Sequence, residues 1–407
     1  MEKEPYKKIK KSAFLDEKKG EVDGGLEMEA STHKTWIPFD LLFHIFLLLP
    51  AESLCRVSFA CKTLFNMISS ANFIEAHLRQ SETVLLTLKS VTEENTSLPF
   101  ARQPHAQSRK FFFQFWELHS GKSRKVCVPY LKNIDRILAS CNGLVLTKMK
   151  KNAGLAVINP STRKHIQLPL GTIGFHPDLY GFMRRQLMGG YKVVHLFRDK
   201  FNHIRCEILN LSTRSWHAVD GPSSNFGSII FHAPVSAIGA IYWLPERSGC
   251  NHIVSLGYDD EKFLSIPLPI SSTKNDRLIE VGGGLLSFVT HATMHLIQVW
   301  ILRRDGVGGD NWIKRYSINR NYDITGLIPF CTSGCEMVFN RHRRNLLYVY
   351  NLESDEMKEV NLDTETMNRD VEQDDMEFEE EVDNGEEFLF YIPHVNSLIS
   401  GSTPHHQ

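Results

Sequence analysis

No apolar run in this chain of 407 residues reaches the length of a membrane span. The most apolar stretch, Leu41–Leu49, has eight large apolar residues in nine and only His44 as relief, against the roughly 20 that a bilayer-crossing helix needs. Pro50 closes it, and no polybasic flank or lipidation motif supports a membrane role. The opening residues are polar, so no secretory leader is expected. Charge of one sign is also missing. The formal net charge is −1, which gives no overall field to attract nucleic acid or an anionic membrane. No base-stacking aromatic set is interleaved with basic residues. The eight cysteines are scattered, and only Cys331 and Cys335 lie close together. Without a leader or a second cysteine pair they read as reduced thiols, mostly in the core, which places the chain in the nucleus or cytoplasm.

Catalytic motifs are scarce too. Gly121-Lys122-Ser123 resembles the end of a phosphate loop, but Trp116 stands where the motif needs a glycine to curl the backbone. Gly282–Gly284 lack the helix and downstream acid of a dinucleotide site, and close strand packing explains them. There is no Gly-x-Ser-x-Gly elbow and no His-Glu-x-x-His or paired Cys-x-x-Cys spacing among the 18 histidines and eight cysteines. His195, His203, His217 and His232 are therefore expected in core or surface roles. No catalytic residue, metal ligand or cofactor is assigned.

What is present divides the chain. Residues 1–34, with lysines at 7, 8, 10 and 11, read as a flexible charged arm. From 35 to 80 the period is helical, with Leu54, Val57, Cys61, Leu64, Phe65 and Ile68 on one stripe. Pro38 suits a first helical turn and Pro50 a stop, and a further short helix is expected through Phe73 and His77. In the first helix Leu41, Ile45 and Leu48 share one stripe and Leu42, Phe46 and Leu49 the next, leaving Phe43 and Leu47 on the expected wet side. A helix apolar nearly all round must be covered from several directions. A unit of this size buries little surface by itself, so part of that apolar face is expected to meet another protein.

Beyond residue 80 short alternating runs between turn residues read as strands, and they repeat. Val157–His165 (VINPSTRKH), Ile208–Trp216 (ILNLSTRSW), Val349–Met357 (VYNLESDEM) and, more weakly, Ser255–Phe263 share a strand end, a polar turn often opened by Asn, and a new strand. Their last positions, with Trp312, recur at intervals of roughly 45–51 residues. Gly143, Gly190, Gly239, Gly284 and Gly334 form a second series of about the same period. Phe111–Val128 looks like a degenerate first copy, giving about six units of about four strands each. A propeller fits two series with one spacing; an irregular β-sandwich is the alternative. The acidic stretch Asp370–Glu387, in a loop spanning 368–387, reads as solvated. Arg341, Arg343 and Arg344 read as a hairpin turn.

The segment WIPFDLLFHIFLLLPAESLCRVSFACKTLFNMISSANFIEAHL (Trp36–Leu78) closely resembles an F-box, the module that docks on the Skp-type adaptor of SCF ubiquitin ligases. The matching positions carry the adaptor contact in that family and imply it here for Ile37, Pro38, Leu41, Ile45, Leu49, Pro50, Leu54, Val57, Cys61 and Lys62. Two positions depart from the pattern: Ile37 replaces a Leu, and Leu64 replaces the usual Trp, which fills core and some interface. The remainder, to about residue 400, resembles the F-box-associated domain of plant F-box families. The resemblance lies in SCNGLVL (Ser140–Leu146), NPSTRKHIQLP (Asn159–Pro169), YKVVHLF (Tyr191–Phe197), LSTRSW (Leu211–Trp216), IGAIYWL (Ile238–Leu244), EKFLSIPLP (Glu261–Pro269), VWILRR with Trp312, and the closing YIPHVNSLIS (Tyr391–Ser400).

The expected fold is thus multi-domain: a small all-α F-box module over 35–80, then an all-β, kelch-like propeller of about six blades over 81–400. The resemblance implies a non-catalytic receptor that joins a Skp-type adaptor, and through it cullin and RING subunits, to an unknown protein substrate. No nucleic acid or membrane is expected as a partner. A stand-alone propeller hydrolase or oxidase, and a non-degradative F-box scaffold, are the alternatives.

Overall fold

A computed structural model of the chain describes residues 37–93, 108–119, 121–127, 134–185, 190–222, 232–282, 284–305, 309–341, 346–362 and 391–399. The charged arm, the acidic stretch, and Arg343 and Arg344 lie outside the described residues. The chain divides into two units, Met1–Leu42 and Phe43–Gln407.

Four helices come first: α1 (Phe39–Leu47), α2 (Ala51–Val57), α3 (Lys62–Ile68) and α4 (Ala71–Gln80). Each is too short to persist alone, so packing must hold it. Pro50 acts as the N-cap of α2, where its fixed φ of −59° leads into the first turn. Ser70 caps α4, its Oγ accepting from the Phe73 N–H. Leu47, Leu54, Met67, Ile68 and Phe73 form a buried cluster, with Phe43, Phe46, Leu49, Val57 and Leu64 packed around it. His77, also buried, lies with Nε2 2.9 Å from the Leu49 carbonyl and so ties α4 to the end of α1. No described helix is long and apolar enough to cross a membrane.

Among the described residues the strands form six four-stranded antiparallel sheets, a six-bladed propeller. Blade 1 holds β1 (Thr83–Glu93), β2 (Ser108–Glu117) and β3 (Ser123–Cys127). Blade 2 holds β4 (Ile134–Cys141), β5 (Leu144–Met149), β6 (Leu155–Asn159) and β7 (Lys164–Leu168). Blade 3 holds β8 (Phe175–Arg184), β9 (Tyr191–Arg198), β10 (Ile204–Asn210) and β11 (Ser215–Val219). Blade 4 holds β12 (Val235–Ala237), β13 (Ala240–Trp243), β14 (His252–Gly257) and β15 (Phe263–Pro267). Blade 5 holds β16 (Arg277–Val281), β17 (Leu285–Thr293), β18 (Leu296–Asp305) and β19 (Gly309–Asn319). Blade 6 holds β20 (Leu327–Ser333), β21 (Glu336–Arg341), β22 (Leu346–Asn351) and β23 (Met357–Asn361). Blade 1 is completed by β24 (Ile392–Val395), which pairs antiparallel with β1 from Thr83↔Val395 to Leu86↔Ile392. Pairing the last strand with the first completes blade 1 and closes the ring, leaving only short, protected edges.

Both repeat series have a physical basis. Asn159, Asn210 and Asn351 end the third strand of blades 2, 3 and 6, and each side-chain oxygen accepts backbone N–H groups of the following turn. Such Asn turns replace backbone pairing where the chain reverses. The glycines lie in the hairpins between first and second strands. Asn142 and Gly143 both have positive φ, 50° and 83°, as do Ile238 and Gly239 at 49° and 66°, the backbone of a tight two-residue hairpin. Phe111–Val128 is not a whole degenerate copy: it supplies β2 and β3 of blade 1, whose inner strands come from opposite ends of the domain.

Alternation holds on an outer strand such as β3. The middle strand β6, LAVIN, is buried at every position, because neighbouring blades cover both its faces. Two tryptophans tie outer strands of successive blades: Trp216 Nε1 donates to the Pro169 carbonyl at 3.0 Å, and Trp312 Nε1 to that of Pro267 at 2.7 Å.

Candidate functional site

The helices carry an apolar surface that their own core leaves uncovered. In the first unit Ile37, Phe39 and Leu41 are each about half exposed, and Pro38 is exposed. In the second, Ile45 is 46% exposed, Leu48 80%, Phe59 85% and Phe65 51%. Pro50, Cys61 and Lys62 are exposed as well, with Cys61 as N-cap of α3 and Lys62 as its first residue. Leu49 and Val57 are half-buried against the cluster, whereas Leu54 is fully buried. Leu54 therefore has no surface to offer and lies beneath the exposed residues.

Two details of the sequence reading are corrected. Phe43 and Leu47, expected on the wet side of α1, face the other helices: Leu47 is buried, and Phe43 meets Phe73 edge-on with ring centroids 5.1 Å apart. The wet side holds Ile45 instead, and Leu48 is exposed in the turn that follows. The apolar stripe through α2 and α3 also splits, with Leu54 and Ile68 inside but Cys61 and Phe65 outside. Periodicity alone could not sort these, because apolar residues surround the helix and either side fits the pattern. Phe59 carries no periodic signal in the sequence because it lies in the turn after α2, where no helical period applies.

Leu64, in the place of the usual Trp, packs half-buried on the cluster. A fully covered Leu, Ile or Phe contributes about 1.5–3 kcal/mol in transfer terms. Together Ile45, Leu48, Phe59 and Phe65 can anchor a protein partner and suit no polar ligand.

Another side of the helices meets the propeller. The Glu52 carboxylate of α2 accepts from Arg124 at 2.8 Å and from the Ser161 hydroxyl at 3.0 Å. Glu75 of α4 lies 3.7 Å from Arg184. In blades 2 to 6 antiparallel strands put the first–second and third–fourth turns on one face of the ring, and the remaining connections on the other. Ser161, in the β6–β7 turn, is on the first face. The exposed apolar residues Ile173, Phe201, Met294 and Tyr322 lie in connections of the second.

Several buried polar groups of the propeller are held by structural partners. Burial pushes the Asp276 carboxyl up, but hydrogen bonds from His291, Thr273 and Thr290 outweigh it and hold the acid below its ordinary range. His195 stacks on Tyr180 at 4.2 Å, and its Nδ1 is 2.8 Å from Glu207, which also accepts from Thr172. His232 is pushed down to about 4 by burial and by Arg277, with which it is in hydrogen-bond contact at 3.2 Å, while His217 bonds Glu261 at 2.8 Å. Burial pushes the Cys331 thiol up to about 12, and does the same to Cys141, away from the low values of a reactive thiolate.

Helices with an uncovered apolar face, joined to a closed six-bladed ring, define a two-part protein, a helical module fused to a propeller. The family model described as the F-box associated beta propeller domain matches residues 117–400, and that of the F-box domain matches 35–75. The chain belongs to the F-box proteins with an F-box-associated propeller. Similar proteins include, from Arabidopsis thaliana, F-box protein At3g07870 (23% identical; 77% of this chain and 78% of that one) and F-box protein CPR1 (23%; 70% and 73%). F-box protein At1g30790, from the same plant, is 25% identical over 80% of this chain and 90% of its own. Among solved structures, TolB from Acinetobacter baumannii aligns at a TM-score of 0.39 and 14% identity, over 69% of this chain and 63% of that one, too low to carry an argument.

Proposed function

We propose that this chain is the substrate-recognition subunit of an SCF-type ubiquitin ligase. Residues 35–80 bind a Skp-type adaptor, and through it the cullin and RING subunits. Residues 81–400 hold a protein target for ubiquitination and proteasomal degradation. Ile37, Pro38, Leu41, Ile45, Pro50, Cys61 and Lys62 touch the adaptor, with Leu49 and Val57 at its edge and Leu54 supporting them. The chain supplies no reacting group: its contribution is proximity, which raises the effective concentration of target lysines near the charged enzyme. Such a complex operates in the nucleus or cytoplasm.

The observation that carries this reading is the exposure of Ile45, Leu48, Phe59 and Phe65 around a helical core that is already filled. The test is co-purification with a Skp-type adaptor. Binding is expected to collapse in Ile45→Asp and in a variant with Leu49 and Pro50 both changed to Ala. Undiminished binding by both variants refutes the proposal.

A further inference from the structure

We propose that Asn396–Ile399 form a latch that fixes the helical module in one orientation on the propeller, so that a target is presented at one place relative to the adaptor. This rests on the receptor reading above.

Ring closure ends with β24 at Val395. The next residues leave the sheet and run between helices and blades. Leu398 packs on the helical cluster of Leu54, Met67, Ile68 and Phe73, whereas its neighbour Ile399 packs on the propeller cluster that includes Leu144, Leu146 and Leu209. Two adjacent side chains thus engage two different bodies.

The backbone between them is held on the propeller side. The Asn159 amide donates to the carbonyls of Ser397 and Ile399 at 2.9 and 2.7 Å, and Ser397 Oγ donates to the Asn142 carbonyl at 2.6 Å. Gly143 has no space for a side chain, since an added Cβ would stand 2.1 Å from Ser397 Oγ. On the helix side Glu52 accepts from Arg124 and from Ser161, and the Ser161 hydroxyl is also 3.3 Å from Asn396 Oδ1.

The covalent link between α4 and β1 is only Ser81 and Glu82. A short link limits distance but leaves rotation free. Leu398 and the Glu52 site add two attachments on other elements, and three separate attachments leave a rigid body no swing. Transfer by proximity depends on such fixed geometry, so these residues position the target and touch neither adaptor nor target.

The test uses the full chain bound to a Skp-type adaptor and reconstituted with cullin and RING subunits. Its own propeller lysines serve as acceptors because the target is unidentified. Paired site-specific labels at the exposed Asn72 of α4 and Lys262 of blade 4 report the distance between the bodies. The parent chain is expected to show one narrow distance and ubiquitin on a fixed subset of propeller lysines. Leu398→Asp and the surface change Glu52→Arg should each broaden the distance and spread modification around the ring, with adaptor affinity unchanged. Adding Arg124→Glu to Glu52→Arg should restore both readouts. A narrow distance and an unaltered lysine pattern in folded Glu52→Arg and Leu398→Asp overturn the latch. If the parent chain binds no adaptor, the receptor reading fails, while the label distance in the chain alone still decides the latch.

Discussion

Asn159 and Asn210 occupy the same place in successive blades, yet exchanging each for Asp should have unequal consequences. Both side-chain oxygens accept backbone N–H groups of the turn: Ser161 and Thr162 for Asn159, Ser212 for Asn210. An Asp carboxylate keeps those bonds, so the turn survives in either variant. The difference lies in the amide nitrogen. Asn159 is 1% exposed and donates to two carbonyls of the closing segment, Ser397 and Ile399. In Asn159→Asp an oxygen replaces the donor, faces those two carbonyls and repels them. Each buried group left unpaired costs about 1–3 kcal/mol, so the two together cost about 2–6 kcal/mol before the repulsion is added. The Asn210 turn is exposed, and Asn210→Asp should stay within about 0.5 kcal/mol of the parent. Urea unfolding of the full chains, followed by tryptophan fluorescence, measures both. A difference between the two variants below about 1 kcal/mol would refute the assignment of the Asn159 amide as a tie on the closing segment.

Other consequences follow from the same contacts. Ile45→Asp should leave helix content unchanged by circular dichroism, because the side chain is already about half exposed, yet weaken adaptor binding about 100-fold or more in a titration, since a carboxylate is then buried in an apolar interface. Leu54→Ala acts differently: the residue is fully buried, so a loss of about 2–5 kcal/mol should melt the helices and abolish adaptor binding together, both visible in one thermal scan with and without adaptor. Gly143→Ala combines a φ of +83° with a clash against Ser397, and should expose the C-terminal residues to protease at temperatures where the parent resists. The His394 imidazole is pushed from 6.5 down to about 3 by burial and by Arg124. The unfolded chain then binds the extra proton first, so this contribution to stability is intact above pH 6.5 and is lost as pH falls toward about 3. His394→Gln should flatten that part of a pH series of unfolding midpoints, and an unchanged slope would remove His394 as its source.

Much of this was legible in the residues. The change from helical to strand texture near residue 80 reflects side-chain periodicity, which survives in any register. The blade period was readable because each blade solves one local problem, reversing a chain between buried strands, with the same residues: an Asn turn at 159, 210 and 351 and a glycine hairpin at 143 and 239. The resemblance to the F-box pattern singles out positions such as Ile45 and Pro50, and both are exposed. The sequence alone could not separate Leu54, inside, from Phe65, outside, since both sit on one apolar stripe and differ only in which neighbours arrive.

By itself the sequence determined the local elements, the number of repeats and the family pattern, all of which depend on residues near one another in the chain. Only the tertiary structure decided which side of α1 stays wet, how blade 1 is assembled from both ends, and that Leu398 reaches into the helices. Those outcomes join residues such as Thr83 and Val395, or Asn159 and Ser397, that lie hundreds of positions apart. No local pattern encodes such pairings, because the energy that selects them appears only when the ring closes and the buried groups find their partners.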